Sequence, residues 1–154
     1  MNIRDATKEL NILRSLKNYK RPFEVVGAYR LIDDGSRPEA TVIIRQDNHE
    51  THEASTGVGP VDALANVLMK SLASIFPVIE QVKLVDFSSR IHEARSGTAA
   101  QVEVSIIFTD SEEIWSVVGI SANINMASFM ALLDGFEYAI LARGAKGKLI
   151  ADSS

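Results

Sequence analysis

Hydrophobic positions recur along this chain with two periods, and the two take turns. In "QVEVSIIF", Val102, Val104, Ile106 and Phe108 occupy every second position, which places them on one face of a strand. "ATVIIR" does the same with Val42 and Ile44. From residue 60 the period lengthens to that of a helix. Val61, Leu64, Ala65, Leu68, Leu72 and Ile75 form one stripe, and Met126, Phe129, Met130, Leu133 and Ile140 form another. Pro60 suits a first helical position and Pro77 stops that helix. The pattern predicts strands near 24–33, 39–47 and 50–56 followed by a helix over 60–75. Strands near 82–93, 100–109 and 112–120 then precede a helix over 124–142. Residues 3–17 read as a short amphipathic helix with Ile3, Ala6, Leu10, Leu13 and Leu16 on one side. "KNYKRP" at 17–22 is a basic connector, and "GAKGKLIADSS" lacks periodicity and is expected to be a flexible tail.

The two halves are related. At an offset of 62 residues, Gly35 falls on Gly97, Val42 on Val104, Ile44 on Ile106 and Gly57 on Gly119, with the elements in the same order. Three strands and a helix, twice, predict an α+β domain of two pseudo-twofold-related βββα units. The expected organisation is 1–22 as N-terminal helix and linker, 23–78 and 79–143 as the two units, and 144–154 as tail.

Composition narrows the class. The 154 residues suit one domain, and 16 basic against 20 acidic residues give a formal charge of −4, which argues against a nucleic-acid partner. Without cysteine there is no disulfide, thiol chemistry or cysteine-ligated zinc. No apolar run is expected to reach the roughly 18–20 residues of a membrane span. The start is too polar for a signal peptide, so a soluble, cytoplasmic protein is expected.

"STGVGPVDALANVL" at 55–68 is the candidate functional stretch. It fails the dinucleotide pattern, with Asp62 at the third glycine position, and lacks the G-K-[ST] ending of a phosphate loop. A helix N-terminus still offers N–H donors and a positive partial charge, and can hold a carboxylate. Glycines let a ligand approach the backbone. Asp62 could face an ammonium group, so the entrance suits a free amino acid. The alternative is a plain strand-to-helix turn in which Asp62 answers the helix dipole. His49, His52 and His92 are too scattered to predict a metal site. Asp33 and Asp34 read as a turn with Gly35, and Glu112 and Glu113 as the opening of a strand. Trp115 suits core or interface. Gly135 in the last helix suggests close packing against another backbone, possible in a partner subunit.

Seven ordered motifs carry a family resemblance. They are "ATVIIR", "TGVGPVDAL", "VKLVDFSSRI", "GTAAQVEV", "WSVVGIS", "ASF" and "LLDGFEYAIL". From about Phe23 to Leu141 the chain resembles the C-terminal regulatory domain of 2-isopropylmalate synthase and citramalate synthase. That resemblance implies two βββα units, a homodimer, and binding of leucine or isoleucine that inhibits a separate metal-dependent catalytic barrel. It also implies effector contacts at Gly57, Gly59, Asp62 and Ala63, at Asp86 and Phe87, and at Gly97, Thr98 and Ala100. The segment before Phe23 resembles the end of the family's linker. The chain departs from the pattern at Val58, where relatives carry asparagine, and at Met126 and Phe129. No barrel is present, so no cofactor, metal or catalytic residue is expected, and the chain acts on a synthase in trans or is a fragment of one. A rival expectation is a dimerisation module that has lost its ligand.

Overall fold

The computed structural model describes residues 2–94, 97 and 99–144. Its elements run β1 (Ile3–Asp5), α1 (Ala6–Arg14), β2 (Glu24–Val25), β3 (Arg30–Ile32), β4 (Glu39–Gln46), β5 (His49–Thr56) and α2 (Pro60–Ala73). A short 3-10 helix (Pro77–Gln81) follows. Then come β6 (Lys83–His92), β7 (Gln101–Thr109), β8 (Ile114–Ser121), α3 (Ile124–Tyr138) and π-helical turns over Ala139–Gly144. The contacts divide the chain into two compact units. One joins the segment up to Tyr19 to Gln81–Tyr138, and the other joins Lys20–Glu80 to the segment from Ala139.

In the Lys20–Glu80 unit, β4 is central. β5 pairs antiparallel along one side, and β2 and β3 share the other. Alternation sorts β4 as expected: Ala40, Val42 and Ile44 are buried, whereas Thr41 and Ile43 are half-buried. α2 packs on β4 and β5 through Leu64, Leu68 and Leu72, and its buried band also takes in Ala63 and Val67. The single strand expected over 24–33 is two short strands, because Gly27 adopts φ +75° and the chain leaves the ladder before Arg30.

The other unit repeats this plan. β6, β7 and β8 form an antiparallel meander covered by α3. Val104, Ile106 and Phe108 of β7 are fully buried, as the alternation predicts. Trp115 is core rather than interface. It stacks on Phe108 with ring centroids 6.0 Å apart, and its indole N–H donates to the Gly135 carbonyl at 3.1 Å. The expected stripe on the last helix is displaced. Phe129 and Ile140 of that stripe are buried, but Met126 and Leu133 are only half-buried and Met130 is exposed, while Ala127, Ala131, Leu132, Gly135 and Phe136 fill the rest of the inner face. This helix is apolar nearly all round, so periodicity alone cannot choose its inner face. Small residues at 127, 131 and 135 choose it, because they allow close approach. A Cβ on Gly135 would meet the Phe108 ring at 2.1 Å, so Gly135 serves packing within the chain rather than against a partner.

The N-terminal helix is shorter than the predicted 3–17. Ile3–Asp5 instead pair in parallel with Ile114–Ser116. Asp5 caps α1 by accepting the Lys8 N–H at 3.1 Å. Where β1 ends, the Thr7 hydroxyl takes over the open edge by accepting the Val118 N–H at 2.8 Å. Only Ala6 and Leu10 of the expected stripe are buried, while Ile3 and Leu16 stay exposed. A further correction concerns apolar length. The helical stretch Ile124–Gly144 spans 21 residues and holds an 18-residue window of mean hydropathy 1.2, long and apolar enough to cross a membrane, but 61% of that window is buried, as befits a core helix. The expected tail lies, beyond Gly144, outside the described residues.

Candidate functional site

The glycine loop joins the end of β5 to α2 and is pinned at three successive residues. The Thr56 carbonyl accepts the Asn66 side-chain amide at 3.0 Å. The Gly57 N–H donates to the Pro38 carbonyl at 3.0 Å. The Val58 N–H donates to the Asp62 carboxylate at 2.8 Å. Asp62 therefore serves its own loop, closing a ring back onto the backbone four residues earlier. Val58 stands at the apex with its side chain 82% exposed.

The two glycines differ in what they permit. A Cβ on Gly57 would lie 2.3 Å from the Ala63 nitrogen, so the strand can abut the helix only if residue 57 has no side chain. Gly119, its counterpart at the 62-residue offset, has the same role. A Cβ there would lie 2.1 Å from the Ala127 carbonyl oxygen. Gly59 has extended backbone at φ −135°, open to any residue, and a Cβ there meets nothing within 4 Å. Its lack of a side chain leaves the helix end uncapped: among the described residues α2 has no side-chain capping bond. α3 is closed instead by Asn123, whose Oδ1 accepts the N–H groups of Asn125 and Met126 at 2.8 and 3.1 Å. First-turn N–H groups lack intrahelical partners, and Pro60 contributes none, so the donors of Val61 and Asp62 remain at the α2 entrance.

Gly57, Gly59, Asp62 and Ala63 thus form one local cluster, in which the Ala63 N–H bonds the Gly59 carbonyl at 3.0 Å. Asp86 and Phe87 belong to the other compact unit, on β6. A bulge at Val85 shifts the register just before them, from Leu84 opposite Phe108 to Asp86 opposite Ile107. Both are exposed, as are Val85 and Ile91 on the same strand. Gly97 turns with φ +81°, Ala100 directly precedes β7, and Thr98 lies outside the described residues. Reading the sequence missed Asn66 and Asn123. Asn123 carries a usable signal, an N-cap residue directly before an apolar helix. The bond of Asn66 depends on the strand end folding beside it.

The other candidates resolve into local structure. Asp34 accepts the N–H and hydroxyl of Ser36 in the Gly35 turn, and these bonds hold its carboxyl below the usual range. The N–H groups of Glu112 and Glu113 bond Asp110 Oδ1. His92 lies 3.3 Å from Glu103 across the β6–β7 ladder. Among the described residues no cluster of three metal-ligating side chains occurs.

Residues 5–140 match the family model of the LeuA allosteric (dimerisation) domain. The chain is 39% identical over 140 residues to an (R)-citramalate synthase of Geobacter sulfurreducens, covering 87% of this chain and 26% of that protein. It is 36% identical over 151 residues to an (R)-citramalate synthase of Aquifex aeolicus, covering 94% of this chain and 28% of that protein. A Streptomyces coelicolor (R)-citramalate synthase is 32% identical over 145 residues, or 91% of this chain and 27% of its own length. The chain thus spans about a quarter of the length of these curated relatives. Two βββα units, matched from one end to the other by a single domain family, make this chain a member of the LeuA allosteric (dimerisation) domain family.

Proposed function

We propose that the chain is a non-catalytic, homodimeric regulatory domain that binds leucine or isoleucine and passes feedback inhibition to an (R)-citramalate synthase-type acyltransferase in the cytoplasm. The observation that carries this reading is the lopsided coverage. Relatives match along 87–94% of this chain but over only 26–28% of their own length, within a region that is an allosteric domain. The uncapped entrance of α2 supports it, because the remaining N–H donors and the positive helix end suit the effector's carboxylate. Asp86 and Phe87, and the turn at Gly97, Thr98 and Ala100, are further proposed contacts. One observation favours the rival, a dimerisation module without ligand: the Asp62 carboxylate is already engaged by the Val58 N–H.

Calorimetry with leucine, isoleucine and valine separates the two. The fold tolerates a side chain at residue 59, since a Cβ there meets open space. Gly59→Asp should keep the wild-type circular dichroism spectrum and abolish binding, by placing negative charge where the carboxylate sits. Asp62→Ala should weaken binding by about ten- to a hundred-fold, through loss of loop order and of a charge-assisted contact. A folded Gly59→Asp variant that binds as tightly as wild type would sink the effector-loop reading, and absence of binding by the wild type would favour the rival.

A further inference from the structure

The break in the first strand of the Lys20–Glu80 unit has a consequence on the sheet face away from α2. Val25 pairs with Ile44 and Arg30 with Thr41, so four residues, Val26 to Tyr29, stand opposite two, Val42 and Ile43. The surplus arches off the ladder through Gly27 at φ +75°, anchored by the Val26 N–H on the Ile43 carbonyl at 2.9 Å. Beneath the arch lies a cleft of about 430 Å³. That volume falls in the ordinary range of small-molecule sites, roughly 300–1,000 Å³.

The lining has a definite polarity. Val26, Ala28 and Ile43 supply apolar wall, and Thr41 and His52 supply hydrogen-bonding groups. Register places Thr41, Ile43 and His52 on one face with Arg30, because Arg30 pairs with Thr41 and Ile43 with His52. Among the described residues, Arg30 is the one permanently charged member of the lining, and no carboxylate joins it there. It is exposed and makes no ion pair with the described residues, unlike Arg45 on the same face, which bonds Glu50 at 2.7 Å. A guanidinium beside an apolar wall fits a carboxylate with an aliphatic body. The ammonium group of an amino acid would find no counter-charge there and would meet the field of Arg30.

We infer that this cleft is a second binding site, distinct from the glycine loop, for small aliphatic carboxylates that lack an amino group. It does not depend on the effector reading, because neither the residues nor the ligand class are shared. The test is an NMR titration of the isotope-labelled chain with sodium 3-methylbutanoate and, separately, with L-leucine. The first should move the signals of Arg30, Thr41, Ile43 and His52, and the second should leave them in place at equal concentration. Arg30→Gln should weaken 3-methylbutanoate binding about ten- to a hundred-fold. Ala28→Glu, which keeps Arg30 but adds a negative charge to the arch, should abolish it. The inference is overturned if 3-methylbutanoate at about 10 mM, a weak-binding concentration, moves none of these signals. It is equally overturned if L-leucine moves them as far, or if folded variants bind as the wild type does.

Discussion

At Gly57 and Gly59 one residue type does two different jobs two positions apart. Gly57 is required by packing, since a Cβ would sit 2.3 Å from the Ala63 nitrogen, a backbone atom with no freedom to yield. Gly59 is not required by the fold. Gly57→Ala should therefore cost about 1–3 kcal/mol, the usual range for overpacking, whereas Gly59→Ala should stay within about 0.5 kcal/mol of wild type. Urea unfolding monitored by circular dichroism measures both. Equal stabilities would show that the strand end relaxes away from α2. The same physics makes Gly57 a poor place to probe ligand binding, because a substitution there reports on the fold first.

Among the elements, α3 carries a polar network on an otherwise apolar helix. Glu137 is fully buried and accepts hydrogen bonds from Arg14, at 3.1 Å, and from the Tyr19 hydroxyl. Arg14 also bonds Asp134 at 2.8 Å. The C-terminal end of α1 and the following Tyr19 are thus fastened to α3 by charge and hydrogen bonds rather than by the apolar stripe expected over 3–17. Removing one partner of a buried ion pair leaves the other charge unmatched in a poor dielectric. Arg14→Ala should cost about 3 kcal/mol, the low end for such losses because Arg14 is partly exposed, and a midpoint unchanged in urea would refute it. The network also predicts an alkaline response. Burial, then the bond to Glu137, pushes the Tyr19 hydroxyl from its ordinary 10 up to about 12. The folded state therefore holds this proton more tightly than the unfolded chain. Its contribution is complete below about pH 10 and is lost as pH rises through about 12. Stability measured from pH 9 to 12 should fall more steeply in wild type than in Tyr19→Phe.

For the whole molecule, the expectation is association. β6 is a ten-residue edge strand, and Val85, Phe87 and Ile91 on it are exposed. Long apolar edges are rarely left open to water. Light scattering at micromolar concentration should give twice the 16.8 kDa chain mass, through an isologous interface burying more than about 1,000 Å² in total. A monomeric mass would overturn this. Purified chain should also show no condensation of an acyl thioester with a 2-oxo acid; turnover abolished by a substitution in this chain would contradict the non-catalytic reading.

Local pattern settled the larger part of the architecture. Alternation in "QVEVSIIF" and "ATVIIR" named buried faces, because a strand displays its side chains with period two whatever it packs against. The 62-residue offset announced two like units, and Gly57 and Gly119 hold equivalent contacts in them. What the sequence could not show depends on distant partners. β1 exists only because β8 offers an edge more than a hundred residues away, so its three residues look locally like the start of a helix. The inner face of α3 was hidden because nearly every position is apolar, and the close fit of Gly119 and Phe108 against small residues decided it. The two-residue surplus that opens the cleft at Gly27 is invisible until β4 supplies the ruler against which it is counted. Composition and period determine which residues must leave water; only the tertiary structure determines against which neighbours, because that choice is made by shape between segments far apart in the chain.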